Sequence, residues 1–206
     1  MSSFETKTKK SIQTKQKILS TAKNVFAKKG FHQVKVKDIT DSAGLGYGTF
    51  YLYFKDKKEV FYALVEQVED ELYTASEGGS DLNLEYERGR SSYRALRKDL
   101  KAILKSFLDN QSILKFSKEL ALIDADFQKK YIAMRERLIN RTKNILQKSG
   151  LNAVDLDVAA VAIAGMIEAT ANECAQNHFT DKSHRGSLNI DRALSTLTKL
   201  YFKAVS

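Results

Sequence analysis

The sequence of 206 residues contains no proline. Nothing in it therefore breaks a long helix, and with Ala, Leu, Lys and Ile plentiful little favours the short strands of a sandwich or barrel, so an all-α fold is expected. The single cysteine, Cys174, excludes an internal disulfide, and the three histidines, His32, His178 and His184, are too scattered to form a metal site. A chain of this kind fits a reducing compartment, and a cytoplasmic location with no metal or cofactor is the expectation. Long hydrophobic runs are also missing. The longest, Val158 to Ile167, has ten residues, against the ~20 that a membrane span needs. The lysine-rich N-terminus is not followed by the apolar core of a signal peptide, so neither secretion nor a membrane partner is expected. No phosphate-cradling loop, nucleophile elbow or spaced carboxylate pair is present, and no catalytic residue is assigned.

What is abundant is positive charge, and it is unevenly spread. The net charge is +9, of which residues 1–62, with 13 lysines, no arginine and 5 acidic residues, carry +8. The remaining two thirds of the chain is nearly neutral. A basic block of this kind attracts nucleic acid or an anionic surface through its field, although a lysine-rich face is equally often a solvated one.

Hydrophobic spacing divides the chain. Residues 1–13 are polar, basic and aperiodic and read as a flexible arm. From Thr14, the positions Ile18, Ala22, Val25 and Phe26 follow helical spacing up to Gly30. A short second helix with Val36, Ile39 and Ala43 on one face stops at Gly44. A third runs from about Gly46 to Phe54. Asp56 and Glu59 form a capping-box pattern that opens a fourth, whose stripe is Val60, Phe61, Leu64, Val65, Val68 and Leu72. The polar stretch from Ser80 to Gly89 reads as a connection. Further helices are expected at about Ser91–Asn110, Ser112–Leu122, Asp124–Lys148, Asp155–His178 and Asn189–Ala204. The run Val158–Ile167 is apolar all round and is expected to be buried on every side.

Three short helices with a tight glycine-containing turn between the second and third make the helix-turn-helix pattern, in which the third helix enters the major groove. The turn here is Ala43-Gly44-Leu45-Gly46. Ala43 is small where helices cross, Gly44 takes the left-handed conformation, and Leu45 plugs the core. Together with Phe26, Gly30-Phe31, Asp38-Ile39, Gly48-Thr49-Phe50-Tyr51-Leu52-Tyr53-Phe54 and Lys57, this pattern resembles the N-terminal signature of the TetR family of regulators over about residues 14–65. The resemblance implies that Tyr51, Tyr53 and Lys57 bind phosphates while Tyr47, Gly48 and Thr49 approach bases. Tyrosine hydroxyls, a lysine and a helix N-terminus are suitable phosphate donors, and they fix register rather than read sequence. Phe50 and Phe54 read as core. Tyr51 and Tyr53, two apart on a short helix, cannot both face inward.

The sequence departs from the family pattern at Lys35, where threonine is usual, at Thr40, where alanine is usual, and at Gly46, where serine usually caps the helix. Lys35 is expected to offer a charged phosphate contact, and Thr40 an added contact from helix 2. No arginine precedes Arg88, so the bidentate arginine-to-guanine contact is absent from the reading head. Sequence reading is then expected to lean on Tyr47, Thr49 and Lys37, with much of the affinity coming from phosphates.

The domain organisation expected is an arm at 1–13, a helix-turn-helix DNA-binding domain at 14–60, and a helical-bundle ligand-binding and dimerisation domain at 61–206, with helix 4 joining the last two. The resemblance implies a homodimer paired through the last two long helices, binding a near-palindromic double-stranded operator. It also implies a small-molecule effector held among helices 5–8, for which Phe107, Phe116, Leu120, Phe127, Tyr131, Met134 and Met166 are the candidate contacts. A ligand-released repressor is the expected function; the alternative is an architectural or cell-cycle DNA-binding protein of the same fold without an effector. Cys174 reads as a buried, inert thiol.

Overall fold

The computed structural model describes residues 2–75, 90–148, 155–177 and 190–204. The described residues are helical with short turns, in the order α1 (Ser2–Lys29), α2 (Val36–Ala43), α3 (Tyr47–Tyr51), α4 (Lys57–Ala75), α5 (Arg90–Asp109), α6 (Gln111–Ala121), α7 (Ala125–Lys148), α8 (Leu156–Asn177) and α9 (Ile190–Ala204). The expected connection at Ser80–Gly89, and the glycine stops at Gly78-Gly79 and Gly150, lie outside the described residues.

The chain folds as two compact units. Unit 1 comprises Met1–Val68 together with Ser112–Phe127, and unit 2 comprises Glu69–Gln111 with Gln128–Ser206. This division departs from the expected boundary at residue 60. The first half of α4, all of α6 except Gln111, and the start of α7 belong with the helix-turn-helix head.

The reason lies in the core of unit 1. Ile18, Ala22 and Phe26 of α1, Ile39 of α2, Phe50 of α3, and Val60 and Phe61 of α4 are completely buried. Their centre is aromatic: Phe31 lies 4.9 Å from Phe61, and Phe26 meets Phe61 edge-on at 5.5 Å. Phe127 continues the cluster, 6.1 Å from Phe61 and 5.0 Å from Tyr62. Phe116 of α6 packs over Gly30, within 3.7 Å of where a Cβ would stand. Each buried phenylalanine stabilises such a core by about 1.5–3 kcal/mol, and edge-to-face pairs add to this. An apolar surface of that size gathers α6 into the head.

Local signals set the helix ends. The Asp124 carboxylate accepts the N–H of Phe127 at 2.9 Å and Asp155 that of Val158 at 3.2 Å, so the two aspartates expected at the starts of α7 and α8 are their N-caps. Asp56 accepts the N–H of Glu59 at 2.9 Å, as the capping box requires. The Glu59 carboxylate reaches back one residue further than expected, to the N–H of Lys55. The Lys58 ammonium pairs with Asp124, linking the start of α4 to the cap of α7 within unit 1.

Two expectations differ from the structure. Residues 2–13 extend α1 instead of forming an aperiodic arm. Periodicity marks burial, not helicity, and a run with no proline or glycine continues a helix that the following residues have already nucleated. The stretch Val158–Ile167 is not buried on every side. Ala160 and Ile163 are buried, while Val158, at 64% exposure, and Val161, at 50%, face outward.

In unit 2, Leu100 and Leu104 of α5 pack with Ala171 of α8 and Leu194 and Leu197 of α9. A second cluster joins Leu146 of α7 to Ala160 and Ile163 of α8.

The turn of the head depends on Gly44, at φ +60°. A Cβ there would meet no atom within 4 Å, so Gly44→Ala isolates the cost of the left-handed conformation. It should destabilise unit 1 by about 1–2 kcal/mol, read as a lower urea midpoint with unchanged slope.

Candidate nucleic-acid interface

Helix α3 has only five residues and is held from behind. Phe50 and Phe54 are buried, with rings 5.9 Å apart, and the Phe54 N–H donates to the Phe50 carbonyl at 3.0 Å, so the chain turns into the core straight after Tyr51. Regular helix therefore ends three residues earlier than expected. Gly46 is the extended N-cap and its carbonyl accepts the Thr49 N–H at 2.9 Å. In front, Ala43 is buried and the Leu45 N–H donates to Thr40 at 3.0 Å, closing the turn.

With Phe50 pointing inward, Tyr47 and Tyr51 point outward. They are 55% and 47% exposed, one helical turn apart, with rings edge to face at 5.2 Å. The Tyr51 hydroxyl donates to that of Tyr47 at 2.9 Å. This bond, followed by desolvation, raises the Tyr51 pKa, so its hydroxyl keeps its proton. Gly48 has open space where a side chain would be, giving close access to the backbone of α3. Thr49 and Tyr53 are half-buried beside this surface. Leu52, which the sequence reading had not singled out, is 79% exposed next to Tyr51. Only the observed break after Tyr51 turns it outward.

Lys35 and Lys37 are exposed at the start of α2. Asp38 organises that end: its carboxylate accepts the Lys29 ammonium at 2.7 Å and the Lys35 N–H at 2.8 Å. These two hydrogen bonds hold its carboxyl below the usual range.

Two candidates sit differently from expectation. Thr40 is buried and its hydroxyl donates to the Lys37 carbonyl at 3.1 Å. The Lys57 ammonium donates to the carbonyls of Phe31, His32 and Val34 at 2.9, 3.0 and 2.8 Å and lies 4.9 Å from the centre of the Phe31 ring. An ammonium has three N–H donors, and all three are engaged. Burial lowers the Lys57 pKa. In this structure Lys57 is thus a staple between α4 and the α1–α2 loop. The signal was subtle: that loop leaves carbonyls with no helical partner, and a lysine is the side chain that can serve several at once.

The seven candidate effector contacts divide between the units. Phe116, Leu120 and Phe127 belong to unit 1, where Phe127 is fully buried in the aromatic core. In unit 2, Phe107 packs against the Leu100–Leu104 cluster, Met134 is buried, Tyr131 is half-buried, and Met166 is 41% exposed on α8. An open cleft of about 530 Å³ in unit 2 is bordered by Asp70, Glu71, Lys105 and Asp109, and none of the seven lines it. Cys174 is buried, and burial followed by the neighbouring Glu173 raises its thiol pKa, the opposite of activation. Among the described residues no group of His, Cys, Asp and Glu is placed to hold a metal, and no helix is long and apolar enough to cross a membrane.

Residues 18–64 match the family model described as bacterial regulatory proteins, tetR family. The helix-turn-helix head of this chain is therefore similar to the DNA-binding region of that family. It is similar to the HTH-type transcriptional regulator YdgC of Bacillus subtilis strain 168, 28% identical over 163 residues covering 77% of this chain and 80% of that protein. It is also similar to DhaS of Lactococcus lactis subsp. lactis strain IL1403, the transcriptional activator of a dhaKLM operon, at 27% over 141 residues, 68% and 66% of the two chains. In fold it resembles a TetR-like transcriptional regulator from Rhodococcus sp. RHA1, with a TM-score of 0.68, 23% identity, and coverage of 93% and 95%. The family match spans the head built on the Phe26–Phe61 core.

The Asp38 geometry predicts a pH effect. A carboxyl with a lowered native pKa contributes stability that is complete above its ordinary pKa of about 3.9 and is lost as pH falls through the lower native value. Urea midpoints of the wild type should therefore drop more steeply below about pH 4 than those of Asp38→Asn, the variant being the less stable of the two at neutral pH.

Proposed function

We propose that this chain is a TetR-family transcription regulator, two copies of which pair and present their α3 helices to successive major grooves of a near-palindromic operator, acting in the cytoplasm as a repressor that a small, largely apolar effector releases. The observation that carries this is the outward Tyr47–Tyr51 pair on a helix fixed from behind by Phe50 and Phe54. Tyr47, Gly48, Thr49 and Lys37 approach base edges, and Tyr51, Tyr53 and Lys35 contact phosphates.

Pairing is supported by α8, whose outward residues Val158, Val161, Ala162, Gly165, Met166 and Ala169 make one small-residue apolar face, with Leu200 of α9 50% exposed. An exposed apolar stripe of this kind is what a self-complementary two-fold interface buries. Two-fold pairing would set the heads ~34–36 Å apart. Effector binding in unit 2 is then transmitted through α4, which contributes to both units, and a coupling of ~1–3 kcal/mol lowers operator affinity about 5- to 150-fold.

Selection from a random duplex library with purified protein, followed by anisotropy titration across salt, tests this reading. The wild type should enrich a two-half-site sequence and show log affinity falling linearly with log salt, with ~0.9 counterions released per phosphate. Tyr51→Ala should weaken binding at least tenfold, and Val161→Glu should abolish recovery of paired half-sites. Absence of any enriched duplex at low salt would overturn it.

A further inference from the structure

Buried polar atoms in folded proteins nearly always have partners, and an exception calls for a reason. Arg141, on α7 in unit 2, is such an exception. Its Nε and Nη2 are shut off from solvent and meet no hydrogen-bond acceptor among the described residues. Among the described residues the guanidinium is met by the ring of Tyr73 of α4, 4.5 Å from Cζ to the ring centre.

The neighbouring turn shows what is different here. Glu69 of α4 forms an ion pair with Arg137 of α7. Four residues further along both helices the same register brings Tyr73 to Arg141. Where one turn supplies a carboxylate, the next supplies an aromatic ring, which attracts a cation but accepts no conventional N–H···O bond.

The chemistry of the unpartnered atoms is specific. Nε and Nη2 lie on one edge of the guanidinium plane, the edge that grips a carboxylate or phosphate through two parallel N–H···O bonds. A guanidinium keeps its proton, so the site cannot relieve its charge by deprotonation. Enclosed N–H donors without an acceptor are unfavourable, and an acceptor brought in from outside would satisfy them. With one cation in place, a carboxylate balances the charge, whereas a phosphate dianion would leave an uncompensated negative charge.

Resting on the reading of unit 2 as an effector-binding unit, we propose that the Nε–Nη2 edge of Arg141 anchors the carboxylate of the effector, with Tyr73 as the wall beside it. The ligand class is then a small organic acid with an apolar body.

Isothermal titration of the full-length protein with two matched pairs, decanoate against decan-1-ol and benzoate against benzyl alcohol, tests the proposal, with inorganic phosphate as a further arm. At least one acid should bind tenfold or more tightly than its alcohol. Arg141→Met should erase that preference while leaving alcohol binding unchanged, and Arg141→Lys should retain part of it. Without ligand, Arg141→Met should melt no lower than the wild type, since it removes two enclosed, unsatisfied donors; a lower melting temperature with the preference intact would assign Arg141 to packing. Acid and alcohol binding equally, no binding by either acid, a preference that survives Arg141→Met, or Arg141-dependent uptake of phosphate in place of the acids would each overturn the proposal. Operator affinity measured alongside separates the two readings. An acid held through Arg141 without loss of operator binding keeps the subsite and removes the effector role, whereas release by an uncharged molecule indifferent to Arg141 does the reverse.

Discussion

The aromatic contact of Phe26, Phe31 and Phe61, extended by Phe127, is the constraint on which the head depends. It joins residues from α1, the following loop, α4 and α7 around one centre. Because that centre is filled, α2 and α3 have a fixed platform, and α3 needs only Phe50 and Phe54 to hold it. A five-residue helix has too few internal hydrogen bonds to persist alone. Its outward surface is therefore a product of the packing behind it, and the Tyr47–Tyr51 pair is presented in one orientation because Phe50 has only one place to go.

Two half-buried cations show how differently one fold treats charge. Lys57 donates to three carbonyls of the loop after α1 and is structurally complete. Arg141 lies against an aromatic ring with two donors unmet. The first closes a gap in backbone hydrogen bonding near the DNA-reading surface. The second leaves a vacancy in hydrogen bonding in the unit that carries no reading head.

Much of this was legible in the sequence, because amphipathic stripes and caps are local. The ends of α4 to α9 follow from Asp56, Asp124 and Asp155 and from apolar spacing, and the turn at Gly44 follows from its neighbours. Tertiary choices were not legible. Nothing in the spacing of Phe116 and Phe127 says that they pack against Gly30 and Phe61, far earlier in the chain. Thr40 carries a hydroxyl in a pattern that suits a DNA contact, yet burial turns it to the Lys37 carbonyl. The carbonyl partners of Lys57 were not legible because they are backbone atoms, which a sequence does not distinguish. The extension of α1 through residues 2–13 was missed because its sequence carries no apolar stripe, and the described side chains Thr8–Gln13 are all exposed.

Membership of α6 and the start of α7 in the head is the central structural claim, and native-state hydrogen exchange tests it directly. Amides of Ile113–Ala121 should open with the same free energy as those of Ile18–Phe26 and Val60–Leu64, and Phe61→Ala should lower all three together. Amides in α6 that stay protected after those of α1 and α4 have opened would contradict the account.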